Sequence, residues 1–501
     1  MTIGQRYASS FAHVKRVGVI GAGVAGLQTA RSLKARGFEV EVFEKAPDVG
    51  GLWRENYVSS GVQIRKNYYG LLDEEIPHGD WASTPEIQKY ILGFVDKHNL
   101  RSMIRFNTEV SSVSPRADGQ RGWDFVVKDK DGKEATHSLD FAVVSHGLYS
   151  QTANMPTLPG KESFSGPIIH SSQFLSEDLV KGKKVVVIGG GKSAMDIAKV
   201  ASKVGESSVL LYRQAHWITP QSILGLIPTE WIFMSRLGQA LVGSYKGAWP
   251  DAPSGPKLAH TLLAPVMHGV FALLGAIFAV QRKHYGDFKP EHDFVADFYN
   301  VPQLQSAEFT QMVDKGEITA TKGSVKSVEA DGVVLGSGEK VPCDVIVCAT
   351  GFGSSYPFFD AATLSALGVE KDGLYLYRHL LAPKVQDIAF VGAEASTLEN
   401  SVTYGLQAEW LARALVGAVE LPSADKMQTD VDALKAWKRS WMPESPYRSA
   451  LILAHFLHYH DSLLADMKET PFRKSPNFLA EMFAPYTYKD YNGIVGAQVA
   501  K

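Results

Sequence analysis

Two sets of small residues in this chain have the spacing that holds a dinucleotide, and each set ends on a charge of opposite sign. Gly21, Gly23 and Gly26 stand in G-x-G-x-x-G order within "VGVIGAGVAGLQTA". The first glycine permits a tight turn, the second lets the backbone approach a pyrophosphate, and the third lets helix and strand pack closely. At the usual distance past the turn, Glu44 ends the stretch "FEVEVFE", followed by Lys45. A carboxylate there can accept hydrogen bonds from ribose hydroxyls. Gly189, Gly191 and Ala194 repeat the order in "VVVIGGGKSAMDIA", with Lys192 and Ser193 following the turn, and this set ends on Arg213. A guanidinium favours a 2′-phosphate that a carboxylate would repel, and Lys192 adds a second positive charge. The residues therefore predict one site for FAD and one for NADPH, as in an enzyme that moves a hydride from a nicotinamide to a flavin.

Each turn needs a buried strand before it and a helix after it. "KRVGVIG" is short, apolar and β-branched, as a buried parallel strand should be. The helix "AGLQTARSLKARG" follows and stops at Gly37. In the second set the helix is "SAMDIAKVASKVG" and the next strand is "SSVLLYR". After Glu44 comes "EKAPDVGGLW". In two-dinucleotide flavoproteins a glycine pair with a bulky residue at this point marks FAD, so Gly51, Leu52 and Trp53 join the candidate cofactor residues. Core packing is the plainer role for Trp53.

The bulk composition agrees with a large enzyme. The chain has 501 residues, 45% hydrophobic and 21% charged, with 51 Lys+Arg against 53 Asp+Glu. A net charge of −2 gives no reason to expect a nucleic-acid partner. The first residues lack the apolar run of a signal peptide, which reads as cytoplasmic. Only 2 Cys are present. Cys343 and Cys348, in "CDVIVC", have the spacing of a redox disulfide, but along a strand odd spacing sends the side chains to opposite faces. They read as core residues.

"FSGPIIHSSQF" resembles the F-x-G-x-x-x-H-x-x-x-(Y/F) signature of the flavin-containing monooxygenases, with Phe164, Gly166, His170 and Phe174 at the matching positions. "VCATGF" is similar to the family's ATG-(Y/F) strand end, and "VLLYRQAHW" to its arginine–tryptophan segment, through Arg213 and Trp217. Baeyer–Villiger enzymes typically end the signature in Trp, so Phe174 favours the N- and S-oxygenating branch. "HYGDFKPEHDF", "VDKGEI" and "FRKSPNFLAEMFAPYTYKDY" resemble the plant-type, amine N-hydroxylating members.

The resemblance implies an α/β fold with two Rossmann-like domains, the NADPH domain inserted in the FAD domain. The FAD domain would comprise 1–163 and 350–501. The NADPH domain would be 164–349, carrying a mainly helical insertion at about 219–300. It implies NADPH reduction of FAD, reaction with dioxygen to a flavin hydroperoxide, and oxygen transfer to an amine nitrogen or sulfide sulfur of a small molecule. Where the family commonly has an Asn near the flavin, this chain has Gln63 in "VQIRKNYYGLL", with Asn67 as the alternative amide. Gln407 matches a Gln often near the isoalloxazine. His170 is read first as fixing the crossover between domains. Three alternatives stay open: a Baeyer–Villiger enzyme acting on ketones, an oxidase releasing hydrogen peroxide, and a nucleotide-binding sensor. The apolar run Leu258–Val280 is read as a buried or lid helix, with a peripheral membrane contact second and a full span last, since Pro265, His260 and His268 interrupt it. A homodimer is compatible with all of these readings.

Overall fold

The computed structural model describes residues 11–149, 152–243, 249–250, 254–281, 287–298, 303–304, 307–393, 395–453 and 455–496. Arg16–Ile20, with Val17 and Val19 fully buried, pairs in parallel with Glu39–Phe43 on one side and Phe141–Val144 on the other. Ile388–Phe390 and Ile104–Arg105 complete a five-stranded parallel sheet. The second sheet repeats this plan. Lys184–Ile188 lies between Ser207–Tyr212 and Val345–Cys348, with Thr319–Lys322 and Ile168–His170 outermost. In both sheets the central strand is the one that enters a glycine turn.

The likeness extends to a further layer. A three-stranded antiparallel sheet, Thr108–Pro115, Trp123–Asp129 and Glu134–Leu139, covers apolar residues of the first parallel sheet. Val325–Glu329, Gly332–Leu335 and Lys340–Pro342 do the same for the second. Each unit thus buries an apolar parallel strand set on both faces, as such strands require. The two units are nested in the chain. The last strand of the first sheet, Ile388–Phe390, follows every strand of the second. The helix Asn400–Leu415 then packs on the first glycine-turn helix, Val24–Ala35.

Between the second and third strands of the second unit's nucleotide-binding half lies the expected, mainly helical insertion. Its longest element is the helix Ser254–Gln281, which runs through Pro265. This helix is not buried. Met267, Phe271, Leu274 and Phe278 form one buried stripe, while Leu258, Leu262, Leu263, Val266, Leu273 and Val280 are exposed. The apolar composition suggested burial all round, but one stripe is all that the neighbouring Phe233, Phe294 and Phe298 cover. Lys257–Val280 is long and apolar enough to cross a membrane by length and composition.

Cys343 and Cys348 are both buried and unpaired, as the strand argument requires. They nevertheless share one apolar cluster. Cys343 precedes the strand Val345–Cys348, so strand alternation does not extend to it. Burial pushes their thiols up, to about 12 and about 11, which makes them inert as nucleophiles.

Candidate active site

The first turn is built from backbone in close contact. Gly21 N–H donates to Phe43 O at 2.9 Å, fixing the turn to the neighbouring strand. A Cβ added at Gly26 would lie 2.0 Å from Gly21 O, so only glycine lets the helix start this close to the strand. Gly50 N–H donates to Ala22 O at 3.0 Å, and Gly51 lies against Gly23. Leu52 and Trp53 continue from this pair in a 3-10 turn, both half-buried. Glu44 is buried beside them. Its Oε2 accepts from Ala22 N–H at 2.7 Å and its Oε1 from Ala46 N–H at 2.8 Å. A carboxylate offers about four acceptor positions, so this fixed group retains capacity for ribose hydroxyls. Lys45 is exposed beside it, and its charge adds to desolvation in holding half-buried His146 down at about 4.

The second turn opens in the same way. Gly189 N–H donates to Leu211 O at 2.9 Å. A Cβ added at Gly190 would lie 2.8 Å from Gln214 O and 3.7 Å from His216 Cδ2, so the turn and the end of the strand Ser207–Tyr212 touch. Arg213 projects from this junction and is exposed. Gly191 caps the helix Lys192–Val204, and Gly23 caps the first helix, without a side-chain cap bond at either. The first-turn N–H groups are therefore free for phosphate oxygens. These backbone cradles, the buried acceptor Glu44 and the cation Arg213 fit FAD at the first turn and NADPH at the second.

Lys192 is also engaged within its own helix. Its Nζ pairs with Asp196, one helical turn on, and Asp196 also pairs with Lys199 at 3.2 Å. Asp196 further accepts a hydrogen bond from Tyr57 OH at 2.9 Å, and Ser193 bonds the same phenol. Tyr57 comes from the first unit yet is buried in the core of the second. Val58 N–H donates to Phe174 O at 2.8 Å. His170, which is buried, has Nε2 2.9 Å from Gly351 O and Nδ1 2.9 Å from Ser172 Oγ. Burial lowers its pKa. The signature segment thus joins the two units through Phe174 and His170, as the structural reading of His170 anticipated. The seam through Tyr57 and Asp196 had no sequence signal beyond the four-residue spacing of Lys192 and Asp196.

Gln63 lies half-buried in the loop after Trp53, and its backbone bonds the Tyr69 phenol, which burial pushes up to about 12. Tyr69 in turn meets Trp53 edge-on at 5.9 Å between ring centroids. Gln63 is therefore within the wall formed by the glycine pair and Trp53. Asn67 is exposed on the turn Lys66–Tyr68. Gln407 is fully buried and both ends of its amide bond to protein. Its Oε1 accepts from Gly392 N–H at 3.0 Å, and its Nε2 donates to Tyr459 OH at 2.8 Å. Its place is to pin the turn after Ile388–Phe390 against the helix.

Two buried acids that spacing did not suggest stand near this loop. Glu230, from the insertion, approaches Arg65 at 3.7 Å and leaves Oε2 without a hydrogen-bond partner. Glu399 is fully buried with neither oxygen bonded, and burial holds its carboxyl well above the ordinary range. Both act electrostatically on Tyr68, which is raised mainly by its own burial.

The family profile described as Flavin-binding monooxygenase-like matches residues 14–251 and 301–481. It leaves out the segment that holds the long exposed helix. Flavin-containing monooxygenase 3 of Pan troglodytes is 28% identical over 506 residues, covering 95% of this chain and 88% of that protein. Probable flavin-containing monooxygenase 1 of Arabidopsis thaliana is 28% identical over 527 residues, covering 95% and 96%. Among solved structures, S-allyl-L-cysteine S-oxygenase from Allium sativum superposes with a TM-score of 0.61 at 20% identity, covering 91% of this chain and 89% of that one. Cyclohexanone monooxygenase from Rhodococcus sp. Phi1, bound to NADP+, gives 0.68 at 18% identity, covering 90% and 97%. With two nested dinucleotide folds, the cradles for FAD and NADPH and a match along most of its length, the chain belongs to the flavin-binding monooxygenase-like family.

Proposed function

We propose that the chain oxygenates a nucleophilic nitrogen or sulfur of a small molecule, using NADPH and dioxygen. Bound FAD, reduced by NADPH, supplies the activation of dioxygen. The protein's own residues hold, orient and exclude water. Gly21, Gly23, Gly26, Glu44 and Gly51 bind the FAD dinucleotide, and Gly189, Gly191, Ser193 and Arg213 bind NADPH. Residues 1–163 and 350–501 form the FAD domain and 164–349 the NADPH domain. The single observation that carries the reading is the pairing of two glycine turns, one closed by buried Glu44 and the other by exposed Arg213. Gln63, beside Trp53 and Tyr69, supplies the amide that supports the oxygenating step.

Nitrogen or sulfur is favoured over a ketone by Phe174 and by the curated relatives, which are named flavin-containing monooxygenases. The unpaired carboxyl oxygens of Glu230 and Glu399 support a substrate that carries hydrogen-bond donors, as a primary or secondary amine does and a ketone does not. The Baeyer–Villiger reading is favoured by one observation, the higher TM-scores of the cyclohexanone monooxygenases. The test is to reduce the flavin-loaded protein with NADPH without air, add aerated buffer, and assay amines, sulfides and ketones for product per NADPH consumed. Amine or sulfide oxide formation supports the reading. Ester formation from ketones replaces it with the second, and hydrogen peroxide matching NADPH with every substrate replaces it with an oxidase.

The exposed apolar face of Ser254–Gln281 supports a peripheral membrane contact. Flotation of the protein with phosphatidylcholine vesicles, lost in Leu262→Glu/Leu273→Glu, is the expected result.

A further inference from the structure

Beside the second glycine turn, three side chains converge that the oxygenation reaction does not use. His216 Nδ1 is 3.1 Å from Asp297 Oδ1, and His292 Nε2 is 2.8 Å from Asp297 Oδ2. All three ligand atoms lie within 4.8 Å of one another. We propose that His216, His292 and Asp297 form a binding site for a divalent transition-metal ion of the zinc type, joining the insertion to the second dinucleotide unit.

The donor set suits such an ion. Two imidazoles and one carboxylate are borderline ligands of the kind zinc takes, with an open fourth position for water. Metal–ligand distances of about 2.0–2.2 Å in a tetrahedral site put ligand atoms about 3.4 Å apart. Turning the imidazoles so that the widest spacing, at most 4.8 Å, closes by up to about 1.4 Å satisfies that. His292 Nε2 is buried and makes no well-directed hydrogen bond despite its closeness to the carboxylate. The imidazole side chains are 21% and 23% exposed, which leaves an entry path for an ion and its water, while Asp297 is 5% exposed.

An outer shell is also in place. Trp217 N–H donates to Asp297 Oδ2 at 2.6 Å and fixes the carboxylate, and Trp217 Nε1 donates to His292 O at 2.6 Å. Gln214 has its side-chain amide 3.1 Å from His292 Nδ1. With the amide turned so that its oxygen faces the ring, Nδ1–H is held and Nε2 is presented to the metal. His292 and Asp297 come from the segment that the family profile does not match, whereas His216 lies within the match. The site is therefore a feature of this chain's insertion docking onto a shared domain. It does not depend on which atom the enzyme oxygenates.

The test uses the full-length, FAD-loaded protein stripped with a chelator and titrated with Co²⁺. The expected result is one Co²⁺ per chain, the visible bands of a four-coordinate ion in the difference spectrum, and loss of those bands on adding Zn²⁺. His216→Ala and His292→Ala should each weaken Co²⁺ binding at least about tenfold with flavin content and circular dichroism unchanged. Should either alanine variant fail to fold, His292→Gln removes the imidazole at similar volume and should give the same loss. Absence of stoichiometric Co²⁺ uptake, or bands that persist in the folded His292 variant, would show that the three residues are only a hydrogen-bonded clip.

Discussion

Replacing Arg213 with Ala isolates the difference between the two dinucleotide sites. The guanidinium stands at the end of Ser207–Tyr212, directly beside the turn at Gly190. It is exposed, so solvent and salt share its interaction with a phosphate. A charge-assisted hydrogen bond contributes about 1.5–3 kcal/mol, and exposure places this one at the lower end. A loss of about 1.5–2 kcal/mol is roughly a 10- to 30-fold weaker NADPH interaction. NADH has no 2′-phosphate and should change by less than about twofold. Arg213→Lys should fall between, because it keeps the charge without the planar fork. The assay is the rate of anaerobic flavin reduction against NADPH and NADH concentration, at low and high salt. Raising the salt should shrink the wild-type preference for NADPH and leave the variant's ratio unchanged. Equal losses for the two nucleotides would refute the placing of the phosphate. A salt-dependent NADPH preference that persists in the variant would transfer the role to another cation.

Gln63→Leu should leave flavin reduction by NADPH intact and raise hydrogen peroxide released per NADPH; unchanged coupling would remove Gln63 from the oxygenating step. Glu399→Leu should raise KM for amines by about tenfold and leave sulfides within about twofold, since a buried hydrogen-bonding partner is lost at similar volume; equal effects on both substrates would sink the carboxyl's role. Acid should destabilise the protein earlier than its ion pairs alone would. His146 is held at about 4, and His455 and His460 at about 3, mainly by burial. Each is neutral in the fold and takes a proton more readily when unfolded. Stability is thus complete above about pH 6.5 and falls as the pH drops towards those values, by up to about 1.4 kcal/mol per unit per histidine. Thermal melts between pH 7.5 and 4.5 should show this slope, and His460→Gln should flatten it; a flat wild-type profile would contradict the burial argument.

The two glycine turns, their strands and the opposite charges at Glu44 and Arg213 were legible because they are local. Strand, turn, helix and next strand lie within one stretch, and the hydrogen bonds Gly21 to Phe43 and Gly189 to Leu211 follow from that order. Lys192 also pairs locally. Its partner Asp196 is one helical turn away, a spacing that pairs side chains on any helix. Gln407 was a matter of tertiary packing: the acceptor that holds its amide in place is Tyr459, brought there by another helix. The long apolar helix was misjudged because composition measures how apolar a segment is, not how much protein stands around it. Asp297 was illegible for the plainest reason. The groups it binds, Trp217 and His216, are about 80 residues away in sequence.

The nesting of the two units bears on how they cooperate. If the second unit were merely appended, one linker would suffice. Here the chain crosses between units twice, and contacts hold both crossings near the cofactor turns. Val58, a few residues after Gly51, bonds Phe174, just after the second unit begins. Gly351, where the chain leaves the last strand of the second sheet, bonds His170. Tyr57 reaches past both to Asp196 on the helix that follows the second turn. The segments next to the two glycine turns therefore also join the units. A disturbance at this seam acts on the relative position of the cofactors before it acts on the binding of either. Hydride transfer depends on that position within tenths of an ångström, while binding depends on each cradle alone. Selection on electron transfer between two cofactors would thus act on Tyr57, Phe174 and His170 as strongly as on the glycines.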